Sequence, residues 1–124
     1  MSGPRDNRRS LGKLGEDLAS RYLKQRGYQI LTRNLRSPLG EIDIVAYDGD
    51  CLALVEVRAR RGHSHGTPEE SITPAKQKKL RRLAEEYVQS LDIPPHNYRV
   101  DVVAVEFSPA GELLRLDLIR DALA

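Results

Sequence analysis

Tryptophan is absent from the 124 residues, and cysteine, methionine and phenylalanine occur once each. The lone Cys51 has no partner for an internal disulfide. A disulfide-stapled secreted scaffold is therefore excluded, and a reducing cytosol is the expected compartment. No apolar run approaches the roughly 18 residues of a membrane-spanning helix, so no membrane partner is expected. The opening MSGPRDNRRS is basic and lacks the apolar stretch of a signal peptide. Aromatic residues make up 5% of the chain, too few for the stacked platforms of single-strand binders. Glycine-rich dinucleotide or phosphate loops and a Ser-His-Asp signature are also missing.

What remains is a soluble globular composition, 31% charged and 40% hydrophobic, of a size that buries roughly two-thirds of its unfolded surface around one core. Net charge is only +2, but it is unevenly distributed. Residues 1–82 carry 17 Lys and Arg against 10 Asp and Glu, a net +7, whereas residues 83–124 carry 3 against 8, a net −5. That asymmetry suits a polyanion on one side, although a fold can equally scatter such charge over its whole surface.

Residues 1–9 read as a disordered basic arm and 10–124 as one domain. Ser10 caps a predicted helix to about Arg26, with Leu11, Leu14, Leu18, Ala19, Tyr22 and Leu23 as its apolar stripe and Gly27 as its stop. Gly12 and Gly15 each cost that helix about 1 kcal/mol relative to Ala, which close approach of a backbone or ligand would explain, as would fraying of the first turn. Strands are predicted over 28–34, 40–47, 51–60, 98–107 and 113–119. A second helix begins at Thr73-Pro74, a good N-cap and first position, and carries Leu80, Leu83, Ala84, Tyr87, Val88 and Leu91 on one face. The expected order is α-β-β-β-α-β-β, an α/β class with a mixed sheet flanked by helices. Residues 61–72 form a loop whose His63 and His65, with no Cys or third His nearby, read as surface histidines rather than a zinc site.

Asp48-Gly49-Asp50 marks a tight hairpin between the second and third strands. With a loop of Asp48-Gly49, paired residues sum to 97 and Asp43 lies diagonal to Glu56. With Gly49-Asp50, or with residues 48–51 as the loop, the sum is 99 and the two are opposite. Both sums are odd, so Glu41, Asp43, Glu56 and Arg58 share a face, and Ile42, Ile44, Ala46, Cys51, Ala53, Val55, Val57 and Ala59 form an apolar face expected to be buried. Like charges opposite one another repel, and a divalent cation would convert that repulsion into binding. An ion-pair network, with Glu41 on Arg58, is the competing reading. Lys76, Gln77, Lys78, Lys79, Arg81 and Arg82 crowd the start of the second helix, where cations oppose the macrodipole unless an anion binds. A solvated face is the plainer account of that run.

The elements Asp43 and Glu56-Val57-Arg58 resemble the PD-(D/E)xK nuclease pattern, in which an acidic strand residue is followed on the next strand by an acidic residue, a spacer and a lysine. The ordered stretches Leu14–Leu31, Arg33-Asn34, Gly40–Gly49, Leu54–Arg60 and Ile72–Leu80 resemble the YraN-like bacterial family, related in fold to archaeal Holliday junction resolvases. The resemblance implies a restriction-endonuclease-like core and a Mg²⁺ or Mn²⁺ site at Asp43 and Glu56, joined by Glu16 from the first helix. Without it, Glu16 reads as a solvated helix residue. Arg58 stands where the pattern has lysine; it can hold a phosphate but cannot act as a base.

The function so expected is metal-dependent endonuclease chemistry on structured or double-stranded DNA. Asp43, Glu56 and Arg58 would be catalytic, Glu16, Asp43 and Glu56 would bind the metal, Glu41 would support them, and Lys76, Gln77, Lys79 and Arg82 would contact nucleic acid. A second copy of the chain is admitted as a further partner. Two rivals stay open: a nucleic-acid-binding module without hydrolysis, separated by metal-dependent cleavage, and a protein-interaction domain, separated by salt-sensitive nucleic-acid binding.

Overall fold

The computed structural model describes residues 4–62 and 66–123, with side chains over 11–62 and 66–123. The order is α1 (Pro4–Gln25), β1 (Gln29–Ser37), β2 (Gly40–Asp48), β3 (Cys51–Arg61), a 3₁₀ turn at Glu69–Ser71, α2 (Pro74–Gln89), β4 (Asn97–Phe107) and β5 (Leu113–Ile119). This is the α/β order read from the sequence. One helix start differs: α1 begins at Pro4 rather than after Ser10. Pro suits a first helical turn because its missing N–H has no intrahelical partner to lose, so residues 4–9 continue the helix. The rest of the expected arm, and His63 and His65, lie outside the described residues.

The five strands form one sheet in the order β1-β2-β3-β4-β5. Only β3 and β4 are parallel, because α2 carries the chain across between them; the other neighbours are antiparallel. Thr73 caps α2 by accepting from the Lys76 N–H, and Gly27, at a φ of 91°, ends α1 with the Tyr28 N–H on the Leu23 carbonyl.

Each sheet face carries one helix. Ala19 and Leu23 of α1 pack on Ile44, Ala46, Ala53, Val55, Val103 and Val105. Leu80, Leu83 and Ala84 of α2 pack on Ile42, Val45, Leu52 and Leu54. Gly15 is a point of close approach between α1 and β3, since a Cβ there would lie 3.1 Å from Ala59 Cβ. The helix therefore turns Gly15, Ala19 and Leu23 toward the sheet, and Leu14, expected in the buried stripe, is left 45% exposed at its edge. Among the described residues no helix is long and apolar enough to cross a membrane.

The hairpin end is pinned by a polar cluster around Asp101, which is fully buried. Arg99 Nε donates to Asp101 Oδ1 at 2.8 Å and Nη2 donates to Asp48 Oδ2 at 2.7 Å. Tyr28 Oη donates to Asp101 Oδ2 at 3.1 Å, and the Asp121 N–H donates to Oδ1 at 2.9 Å. These bonds tie β2, β4, the α1–β1 junction and the C-terminal segment to one carboxylate.

Candidate functional site

The β2–β3 hairpin uses Gly49-Asp50 as its loop, with Asp48 paired to Cys51 and the ladder running to Ile44 opposite Val55. Continued one step, that register puts Asp43 opposite Glu56. The ladder stops there, and the Val57 N–H donates to Asp43 Oδ2 at 2.8 Å instead. A side chain thus replaces a backbone acceptor, which fixes the Asp43 carboxylate at the point where the strands part.

A second irregularity lies on the other side of Asp43. The β1–β2 ladder pairs Arg33 with Ile44 and Leu35 with Ile42, passing over Asn34 and Asp43. Asn34 has a φ of 55°, the left-handed conformation that Asn tolerates better than most residues. Arg33 reaches α1, whereas Leu35 and Ile42 pack in the α2 cluster. Residues two apart here face opposite sides, so strict alternation fails. Ile42, expected on the face with Ile44, is on the other one, and Cys51 is only half-buried. Beyond the kink Glu41 turns with the strand, toward Glu16 of α1.

The consequence is a carboxylate group drawn from two elements. Oxygens of Glu16, Glu41 and Asp43 all lie within 4.8 Å of one another. Glu16 is delivered by the close Gly15–Ala59 packing and steadied by Arg33, whose Nη2 is 3.7 Å from Glu16 and 2.8 Å from Asp17. An open cleft of about 350 Å³, lined by Gly12, Glu16, Asp43, Val57, Arg58 and Ser71 among others, leads to them. A Cβ at Gly12 would meet nothing within 4 Å among the described residues, so Gly12 keeps this cleft wide rather than packing a neighbour.

Glu56, 5% exposed, abuts Asp43 from the α2 side. Its Oε2 lies 3.3 Å from Lys76 Nζ and 3.5 Å from Arg58 Nη1. Arg58 Nε also donates to Ser71 Oγ at 2.8 Å. The expected Glu41–Arg58 alternative is not the pairing adopted: Glu41 is 3.7 Å from the exposed Arg36. Burial, and then repulsion from Glu56, pushes the Asp43 carboxyl up to about 8, against the Val57 hydrogen bond that favours its ionised form. Burial and the neighbouring carboxylate disfavour its charged form, which a divalent cation would favour. All donors here are hard oxygens, the set preferred by Mg²⁺ and Mn²⁺, so the residues fit such an ion.

The basic run divides in two. Lys76 joins Glu56. Lys78, Lys79 and Arg82 line, with Leu39 and Ala75, a groove of about 360 Å³ between α2 and the β1–β2 turn. Gln77, expected as a nucleic-acid contact, donates its amide Nε2 to the Ile72 carbonyl at 3.5 Å. Arg33 and Ser71 were not among the residues singled out for a site. Arg33 sits in the Arg33-Asn34 stretch that carried part of the family resemblance, whereas nothing in the sequence marks Ser71.

The model of the uncharacterised protein family UPF0102 matches residues 15–105. A UPF0102 protein of Caldicellulosiruptor saccharolyticus is 45% identical over 116 residues, 94% of this chain and 98% of its own. Another, of Symbiobacterium thermophilum, is 47% identical over 114 residues, 92% and 96% of the two chains. A third, of Syntrophus aciditrophicus, is 44% identical over 111 residues, 90% and 86%.

Proposed function

The chain belongs to the uncharacterised protein family UPF0102, the YraN-like family its ordered motifs resemble, and from that premise we propose a metal-dependent endonuclease acting on structured or double-stranded DNA. The observation that carries this reading is the meeting of the Glu16, Glu41 and Asp43 carboxylates within 4.8 Å of one another, beside a cleft that Glu16, Asp43 and Arg58 line.

Asp43 and Glu16 would hold the ion with Glu41, which the strand kink brings to them, while Glu56 supports Asp43 from behind. A divalent ion there supplies Lewis acidity toward a phosphoryl oxygen and lowers the pKa of water enough for attack at neutral pH. Arg58, fixed by Ser71 and Glu56, presents a guanidinium that stabilises charge on the transferring phosphate and keeps its own protons. Lys78, Lys79 and Arg82 give the flanking phosphodiester backbone a positive groove beside the site.

The decisive experiment incubates duplex, branched and single-stranded DNA with the protein and Mg²⁺ or Mn²⁺, alongside Asp43→Ala. Metal-dependent cleavage lost in the variant is expected; none on any substrate would end the enzymatic reading. A non-catalytic DNA-binding module is the second reading. It is favoured by one observation, arginine at position 58 in place of a lysine, and retained salt-sensitive binding without cleavage would select it.

A further inference from the structure

Lys76 has an odd position for a solvated lysine. It lies one turn before Leu80 and two before Leu83, so it heads the apolar stripe by which α2 packs on the sheet. Its side chain is 32% exposed, and Lys78 and Lys79 beside it are exposed. It is also in the first turn of the helix, where the macrodipole disfavours a cation. Against these costs stands one partner, the buried Glu56, whose Oε2 is 3.3 Å away.

Glu56 in turn abuts Asp43, so the Lys76 ammonium is one carboxylate removed from Asp43, and Lys76 is not among the residues that line the basic groove. The other cation on Glu56, Arg58, lines the cleft with Ser71 and offers a planar, delocalised charge. Lys76 alone places a compact ammonium with freely rotating donors there among the described residues.

We propose that Lys76 is a catalytic residue of the hydrolysis, held by Glu56 so that its ammonium orients the attacking water and stabilises the negative charge that grows on it. This rests on the nuclease reading above. In the step, the water oxygen bonds to phosphorus as the bond to the leaving ester oxygen breaks. One proton of the water passes to bulk solvent, the leaving oxygen takes one up, and Lys76 keeps its own three. A lysine that only neutralises Glu56, or only grips a phosphate, would not set the rate at saturating DNA.

The test compares wild type, Lys76→Met, Lys76→Arg and the double variant Arg58→Lys/Lys76→Met. Four quantities are measured: cleavage rate at saturating duplex, DNA affinity in chelator, the salt dependence of that affinity, and melting temperature. Lys76→Met is expected to lower the saturating rate by about 100-fold, the loss typical of one transition-state donor. Its salt slope should match the wild type. Lys76→Arg should recover little of the rate, and Arg58→Lys should restore at least tenfold of it by supplying an ammonium from the adjacent strand.

An unchanged saturating rate in Lys76→Met would overturn the proposal while leaving the nuclease reading intact. So would a salt slope reduced by about 0.9, the mark of one lost phosphate contact, or a rate loss that only follows a fall in melting temperature. A wild type that cleaves no DNA would overturn both.

Discussion

Replacing Asp43 by Asn should stabilise the metal-free protein, and by more as pH rises. In the folded state burial and Glu56 push the Asp43 carboxyl up from 3.8 to about 8. Between those values the folded chain holds a proton that the unfolded chain has released. The unfolded state then binds fewer protons, so stability falls with increasing pH across the window and levels off above it. At pH 7 the shift corresponds to at most about 4 kcal/mol, from about 1.4 kcal/mol per pH unit. Part of the shift comes from the neighbouring Glu56 and depends on it, so a gain of about 1–3 kcal/mol is expected. Asn removes the charge and keeps a carbonyl oxygen for the Val57 N–H. Urea unfolding of both proteins in chelator from pH 4.5 to 8.5 measures the difference. The curves should meet near the acid end and diverge upward, with Glu56→Gln flattening the wild-type slope in the same way. Parallel curves, or an Asn variant less stable throughout, would refute the account of Asp43 as a carboxyl whose charge burial and Glu56 disfavour.

Millimolar Mg²⁺ or Mn²⁺ should raise the melting temperature of the wild type and do so less in Glu16→Gln, whose carboxylate belongs to the same oxygen group; equal shifts would remove Glu16 from the site. Reversing Lys79 and Arg82 to Glu should flatten the salt dependence of duplex binding by roughly two contacts, and an unchanged slope would make the groove an ordinary solvated face. Arg99→Met should cost about 2–4 kcal/mol in chemical unfolding without changing metal response, because it strips a buried carboxylate, Asp101, of its cation at the end of the sheet away from the cleft. Gly12→Ala, with open space for its Cβ, should gain up to about 1 kcal/mol from helix propensity; a loss would show an unseen close contact.

Much of this molecule is written in local pattern. Thr73-Pro74 starts α2 because an N-cap oxygen and a ring-locked φ act within one turn, and Gly27 stops α1 for an equally local reason. The hairpin at Gly49 leaves Asp43 and Glu56 on one face whichever two-residue loop is used, since parity needs only the count of residues between them. That parity argument fails at Ile42, next to Asp43, where Asn34 on the facing strand enters the left-handed region and Ile42 and Glu41 turn about the strand axis. No spacing rule announces such a kink, because it is stabilised by packing on both faces. The same holds for Glu41 joining Glu16, for Leu14 left outside the stripe, and for Lys76 reaching Glu56 across 20 residues of chain. Residue types and periodicities determined which groups can do chemistry. Which of them meet was decided by how closely Gly15 lets α1 approach β3 and by where α2 crosses the sheet, both of them long-range packing choices.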